Sequence, residues 1–374
     1  MSNGFNEKGV NMAENNPAIS VIIPMYNVEK YVAECLTSLA NQTFQDFEII
    51  VVDDCSTDNS LQIVKGFSSK FGDRLKFMKL SKNSGYPGIP RNFALKTAHG
   101  KYIYFLDSDD FLSETAFEDL YNVAKNFNAD VVHAEKCFAF VAQDDKIESE
   151  IISNQMGEFV TEPTLETSDI GERIGDFIGK KYLWWACNKL FLRKFLVDND
   201  IKFVPTKTFE DMIFTFMCIV KAKVYVRVPF VSYYYRLRKD SLSRNAKNIV
   251  EIIERAFAVF NALDKFTDEQ KFFKENPRYK FNVLDFFMQE RLEFIAKFLF
   301  VTSNSKPAEI FNLFKEKFFV GNPKKYISLM TYLFISTNIL KLYSKQQEEE
   351  ISALKHQIDT LKQVISELVL DPKK

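Results

Sequence analysis

An apolar run, Tyr102-Ile-Tyr-Phe-Leu106, leads without a break into Asp107-Ser-Asp-Asp110. Preceded by His99-Gly-Lys101, the run reads as a buried strand. It leaves three carboxylates, Asp107, Asp109 and Asp110, at the strand's C-terminal end. In α/β folds that edge of a sheet is where ligands bind. Carboxylates so close repel one another unless a cation joins them. Hard oxygen ligands suit Mg²⁺ or Mn²⁺, ions that also hold substrate phosphates. The first expectation is a metal–diphosphate site on an α/β enzyme.

The first 135 residues alternate strand and helix patterns. Ile19 to Ile23 is a strand stopped by Pro24. Val28 to Gln42 is a helix with Val32, Cys35, Leu36 and Leu39 on one face. Phe47 to Val52 is a second strand ending at Asp53 and Asp54, after which Ser56 or Thr57 caps a helix to about Phe67. Leu75 to Leu80 is a third strand, and Arg91 to Ala98 a helix beyond the Gly/Pro loop Gly85 to Pro90. After the strand that ends at Asp107, Glu114 to Asn126 is helical and Val131 to Ala134 extended. Such alternation with short links implies a mixed, mostly parallel central sheet with helices on both faces. From about 136 to 245 the pattern is irregular and aromatic-rich, which suits the rest of the same domain and one wall of an acceptor cleft.

Bulk properties narrow the class. The 374 residues suit one large domain with an appendage, or two domains. A 46% hydrophobic content supports a real core, so the 38 Phe residues read mainly as packing. A formal net charge of -1 supplies no basic field and argues against nucleic acid. The cysteines, Cys35, Cys55, Cys137, Cys187 and Cys218, are odd in number and form no CxxC pair. That argues against a zinc site or a disulfide framework and for a reducing cytoplasm. Residues 1–17 are polar, without the apolar stretch of a signal peptide, and read as a disordered leader. No apolar run is long enough to span a membrane. Tyr326 to Leu340 comes nearest and reads as a buried helix, with membrane-surface contact the second option.

Residues 246–343 read as helices. In 345–370, Ile351, Leu354, Ile358, Leu361, Ile365 and Leu368 are spaced by three and four. This is a heptad seam with Ile at a and Leu at d, which favours a parallel dimer. A single amphipathic helix packed on its own chain is the alternative.

Four polar groups follow strands or open helices. They are Pro24-Met-Tyr26-Asn27, Asp53-Asp54, Arg91-Asn92 and Asp107-Ser-Asp109-Asp110. In a parallel sheet they line one edge and can converge on one ligand. Each alone has a plainer reading: a helix cap for Asp54, a surface ion pair for Arg91. A calcium loop beginning at Asp107 would place Glu118 at its twelfth position, but its sixth is Leu112 where Gly is needed. An aspartyl-phosphate phosphatase would continue with small residues after the second Asp, where Asp110-Phe111 stand.

As an ordered set, Ser20-Val-Ile-Ile-Pro-Met-Tyr-Asn27, Phe47 through Ser60, Arg91-Asn92 and Gly100 through Asp110 resemble the inverting family-2 glycosyltransferases of the GT-A fold, of the bacterial surface-polysaccharide type. The resemblance is close over about 18–135 and looser to about 245, so 18–245 is expected to form the GT-A domain. Its nucleotide-binding half would be 18–135 and its acceptor half 136–245. One departure is Cys55, where the family usually has Gly. The resemblance implies that Pro24 and Tyr26 cradle the base of the nucleotide and Asp54 hydrogen-bonds it. Arg91 would lie near the nucleotide. Asp107 would face ribose and metal, and Asp109 would ligate Mn²⁺ or Mg²⁺. Glu210-Asp211 matches the family's acidic pair, with Asp211 as base and Glu210 in support. The plain alternative is an acidic pair favoured by a helix dipole. Trp185 and Asn188-Lys-Leu-Phe191 would lie on the acceptor side, and Arg236 near the leaving diphosphate. His99, His133 and His356 have no partner at metal spacing and receive no role.

The implied function is metal-dependent, inverting transfer of a hexosyl or N-acetylhexosaminyl group from a nucleotide-sugar, foremost a UDP-sugar. The acceptor would be a glycan or lipid-linked glycan of a surface polymer. The setting would be the cytoplasm, at the inner face of the membrane through peripheral contact, with a homodimer joined by the C-terminal heptads. The rival from another class is a coiled-coil scaffold with a nucleotide-sugar-binding module and no turnover. A nucleotidyltransferase would need a Gly-rich, basic loop after the first strand, which Pro24 to Asn27 does not supply.

Overall fold

The structure, a computed structural model, describes residues 16–143, 146–152, 159–206, 209–237, 249–287 and 290. The heptads at 345–370, Tyr326 to Leu340, His356 and leader residues 1–15 lie outside the described residues. The chain begins with β1 (Ile19–Met25), α1 (Val32–Ala40), β2 (Phe47–Asp53), α2 (Ser60–Gly66), α3 (Ser68–Phe71) and β3 (Leu75–Lys79). Next come α4 (Gly88–Thr97), β4 (Tyr102–Phe105), β5 (Phe111–Leu112), α5 (Ala116–Phe127), β6 (Val131–Gln143) and β7 (Lys146–Ile152). Then come β8 (Thr164–Leu165), α6 (Ile170–Ile178), β9 (Lys189–Leu192), α7 (Arg193–Asp198), α8 (Glu210–Lys221) and β10 (Tyr225–Arg236). Helices α9 (Ile249–Glu269) and α10 (Lys271–Glu275) follow, and 277–287 is helical.

The strands form one mixed sheet in the order β3-β2-β1-β4-β9-β6-β10-β5, with β7 on β6 and β8 on β10. Pairing is parallel from β3 through β4 and between β6 and β10. Strand β9 runs antiparallel between β4 and β6. It thereby joins the first half of the sheet to the second.

Both faces of the central strands are covered, which is why their sequences are continuously apolar rather than alternating. Val21, Ile23, Ile49 and Val51 pack with Leu36 and Leu39 of α1 and Phe117 and Leu120 of α5. Ile22, Ile50, Val52, Ile103 and Phe105 pack on the other side with Ala94 of α4 and with Phe214 and Met217 of α8. Met212 to Val220 of α8 are all buried, as expected for a helix apolar on every side. The guanidinium of Arg173 donates to the Ala222 carbonyl at 2.5 Å and so caps the C-terminal end of α8, where a cation is favoured. Phe287 stacks on Phe177 with centroids 5.8 Å apart, fastening the helical 277–287 to α6. Among the described residues no helix is long and apolar enough to cross a membrane.

Two local expectations change. Strand β1 does not stop at Pro24 but pairs through it, opposite Val52. The Ile22 carbonyl accepts from Leu106 on the β4 side, so strand alternation turns the Pro24 nitrogen to that side too. The β1–β4 ladder ends at Ile22, so the missing N–H costs no pairing there. Helix α2 begins at Ser60, not behind Ser56 or Thr57. Ser56 Oγ accepts from the Asn27 amide, and the Thr57 amide donates to Asn27 Oδ1, so both residues lace the turn after β2 to the turn after β1.

Gly100 passes tightly against the start of β1. A Cβ there would lie 2.4 Å from the Ser20 amide nitrogen and 2.7 Å from the Ile19 carbonyl carbon. Gly100→Ala is expected to destabilise the protein by about 2 kcal/mol in chemical denaturation, the scale of forced overpacking.

Candidate active site

The C-terminal ends of β1, β2 and β4 lie side by side, so Tyr26, Asp54 and Asp107 share one edge of the sheet. Pro24 is buried within β1, and Tyr26, just beyond it, is 43% exposed. Asn27 and Cys55 turn the chain at φ 49° and 66°. This left-handed conformation explains why Gly would suit position 55, and it costs about 1 kcal/mol or more for a side chain with Cβ. The Cys55 thiol donates to the Leu80 carbonyl at 3.0 Å, a local compensation.

Asp54 is buried and already engaged. Its carboxylate accepts from the Ser84 amide at 2.7 Å and the Ser84 hydroxyl at 2.8 Å. It therefore holds the loop before α4 as well as facing the shared edge. In that loop the Tyr86 phenol pKa is raised by burial and by the charges of Glu210 and Asp54.

The three carboxylates after β4 have different fates. Asp110 is buried: it accepts from the Tyr233 hydroxyl at 2.5 Å and the Arg236 amide at 2.8 Å. Burial, then the charges of Asp109 and Asp107, push its pKa well up. Asp110 is thus a structural lock between β4 and β10 and is no candidate ligand. Asp107 is partly exposed, with one oxygen 2.6 Å from Arg91 and the other accepting from the Cys187 thiol at 3.4 Å. Asp109 is half-buried and presents its carbonyl to Arg236 Nε at 3.0 Å. The Arg236 guanidinium also bonds Glu34 and lies over the Tyr31 and Phe111 rings.

On the other side of Arg91, α8 opens with the acidic pair. Phe209 precedes it at φ 65°, a strained turn of the kind found at functional sites. Glu210 is buried, and its pKa is raised to about 8 by burial and by Asp211, against the opposing pull of Arg91. Burial likewise raises the Asp211 carboxyl above the usual range. Arg91 is buried, 2.6 Å from Asp107 and 3.2 Å from Glu210. Burial disfavours its charge, but the two carboxylates outweigh that and raise its pKa.

Trp185 stacks on Tyr235 with centroids 5.1 Å apart, while Trp184 packs against Phe286. Lys189 is wholly buried and donates to the carbonyls of Leu183 and Trp185 at 2.9 and 2.7 Å. Burial lowers its pKa to about 7. It pins the tryptophan loop beside the site. His133 is buried against the Tyr225 hydroxyl, away from any ligand set.

The sequence did not single out Tyr233 or Phe203. Tyr233 sits in a tyrosine run whose members look alike, and only its register opposite Leu112 and Cys137 brings its hydroxyl to Asp107 and Asp110. Phe203 carries no motif at all.

Among the described residues, no three His, Cys, Asp or Glu side chains form a closed metal cage. Asp107 and Asp109 are hard oxygen donors at a partly open rim. Such a pair fits an ion that takes its remaining ligands from phosphates and water, as Mg²⁺ and Mn²⁺ do.

Neutral Glu210 favours the folded state below the pKa it regains on unfolding, near 4.5. That contribution is lost as pH rises toward about 8. Glu210→Gln should therefore gain melting temperature relative to wild type as pH is raised from about 5 to 8.5. A constant difference across that range would contradict the assignment.

The family model described as glycosyl transferase family 2 matches residues 20–182. Glu210, Asp211 and Arg236 lie beyond that match. The poly(ribitol-phosphate) beta-N-acetylglucosaminyltransferase TarS of Staphylococcus aureus is 34% identical over 224 residues, 59% of this chain and 36% of the relative. A poly(ribitol-phosphate) beta-glucosyltransferase of Bacillus spizizenii is 36% identical over 226 residues, 59% of this chain and 32% of its own length. The chain thus spans about a third of these two relatives. TarP of S. aureus, another poly(ribitol-phosphate) beta-N-acetylglucosaminyltransferase, is 29% identical over 70% of this chain and 75% of its own. Among solved structures, residues 1–349 of S. aureus TarS with UDP-GlcNAc superpose with a TM-score of 0.61 at 26% identity, covering 92% of this chain and 91% of that one.

Proposed function

We propose that the chain, whose residues 20–182 match the glycosyl transferase family 2 model and whose fold matches that of TarS, transfers a sugar from a UDP-sugar to a surface-polymer acceptor with inversion. One observation carries this reading. Asp107 and Glu210 meet across one buried guanidinium, which supports a metal–diphosphate site on the Asp107 side and a base, Asp211, beside Glu210 on the other. The likeness to TarS bound to UDP-GlcNAc supports a UDP-sugar, and the named relatives support a poly(ribitol-phosphate)-like acceptor.

In this reading Pro24, Tyr26 and Asp54 receive the base, and Arg91 stands behind Asp107 on the donor side. Asp109 and Asp107 would hold Mn²⁺ or Mg²⁺, which would neutralise charge on the departing diphosphate. The acceptor hydroxyl oxygen bonds to the anomeric carbon as the bond to the diphosphate breaks. Asp211 takes the hydroxyl proton, and its raised pKa brings it closer to a base poised for neutral pH. Glu210 supports it. Arg236, already on the Asp109 carbonyl, can turn its guanidinium to the leaving phosphate oxygens. Trp185 offers a face to the acceptor sugar.

We further propose that 18–245 is the catalytic unit, divided at about 135, and that 246–343 extends it with helices. The 345–370 heptads would join a homodimer, and the enzyme would work in the cytoplasm at the inner membrane face. The rival scaffold without turnover has no specific observation in its favour.

A screen of UDP-sugars for UDP release tests the reading: release from none of them would overturn it. Asp211→Asn should lower turnover by roughly 10²–10⁴-fold, the usual worth of a general base, while donor binding persists. Asp109→Ala should abolish the gain in donor affinity that Mn²⁺ confers, measured by calorimetry with and without the ion.

A further inference from the structure

The two carboxylate groups of the cleft come from parts of the chain far apart in sequence. Asp107 follows β4, while Glu210 opens α8, 119 residues beyond Arg91. Arg91 touches both. Its side chain is 4% exposed, its flat face lies 5.0 Å from the Phe203 ring centroid, and its Nε–H has no hydrogen-bond partner among the described residues. A guanidinium reading a nucleotide would need an open edge. This one is walled in with its two terminal nitrogens already on carboxylates.

The neighbours tighten the same joint. Asn92 Nδ2 donates to the Phe203 carbonyl at 2.7 Å, and its Oδ1 accepts from the Phe203 amide at 2.9 Å. Phe203 in turn stacks on Phe214 of α8 with centroids 4.2 Å apart and planes 5° from parallel. Gly88, at the start of α4, leaves so little room that a Cβ would come within 3.0 Å of Phe203 Cβ and 3.3 Å of Glu210 Cγ. The first turns of α4 therefore clamp both the approach to α8 and its first residue.

We infer that Arg91 is a positioning residue: its buried guanidinium sets the distance between the donor-side Asp107 and the base-bearing start of α8, and it does not bind the nucleotide. Lysine cannot replace it. An ammonium is a point charge, whereas the planar fork meets two carboxylates at once. Loss of the fork would let Asp107 and the Glu210–Asp211 turn move independently, so the donor would still bind while the reacting groups lost alignment. This deepens the transferase reading and rests on it.

The test uses full-length Arg91→Lys and Glu210→Gln, with UDP as probe. UDP affinity is measured by calorimetry in EDTA and in Mn²⁺, and kcat and KM are taken with the UDP-sugar that wild type turns over. Arg91→Lys should leave metal-free UDP affinity within about twofold and weaken the Mn²⁺-dependent gain by about tenfold, the usual cost of losing a partner behind a ligand. It should also lower kcat at saturating donor by about 10²-fold, the scale of a small misplacement. Glu210→Gln, which leaves the Arg91–Asp107 bond intact, should lower kcat but keep the Mn²⁺ gain, and it carries the test if Arg91→Lys does not fold. Loss of metal-free UDP binding in Arg91→Lys with kcat preserved would overturn the inference, as would wild-type kcat. If wild type neither binds UDP nor releases it from any UDP-sugar, the transferase reading itself falls and takes this inference with it.

Discussion

A single buried guanidinium between two carboxyl groups, Asp107 and Glu210, organises the site. Arg91 is 2.6 Å from Asp107 and 3.2 Å from Glu210; Asp107 stands near Asp110, and Glu210 near Asp211. Without a cation such a group would repel itself apart or take up protons. Removing one partner of a buried pair costs about 3–5 kcal/mol because the other charge is left uncompensated. The architecture follows from that constraint. Helix α4 must begin where it does to deliver Arg91, and α8 must end on the Arg173 cap to present Glu210 at its start.

The rim around this pair is held in conformations that side chains with Cβ seldom adopt. Asn27, Cys55, Asn188 and Phe209 all have positive φ. Three of them are fixed by something specific nearby: Thr57 for Asn27, the Leu80 carbonyl for Cys55, the Ala134 backbone for Asn188. A sheet buried on both faces supplies the rigidity that makes such turns tolerable. Asp110 serves the same end. Its two bonds to Tyr233 and Arg236 tie the acidic strand end to β10, so the carboxylate that looked like a third ligand is spent on architecture.

Much of this was legible in the sequence, but unevenly. The strands through Val131 stood out because their apolar runs are continuous and their ends are marked by polar clusters. The shared edge of Asp54 and Asp107 followed from parallel strand order, while the packing of α4 brought Arg91 to Asp107. Pro24 and Ser56–Thr57 misled, because whether a proline ends a strand depends on which neighbour its nitrogen faces, and whether a hydroxyl caps a helix depends on what else competes for it. Here β4 pairing has already ended beside Pro24, and the Asn27 turn takes Ser56 and Thr57.

By itself the sequence determined which residue types could do chemistry and along which edge they lie, since strand alternation and the period of each helix are local properties. It also carried the resemblance to family-2 glycosyltransferases, because ordered motifs at set spacing are written in the chain. Only the tertiary structure decided how the three carboxylates divide. Burial and the Tyr233 hydroxyl remove Asp110, while Arg91 and Cys187 turn Asp107 toward the cleft. It alone decided that Arg91 faces two carboxylates under Phe203, because those partners lie 16 and 119 residues away and no local pattern specifies where α8 will pack.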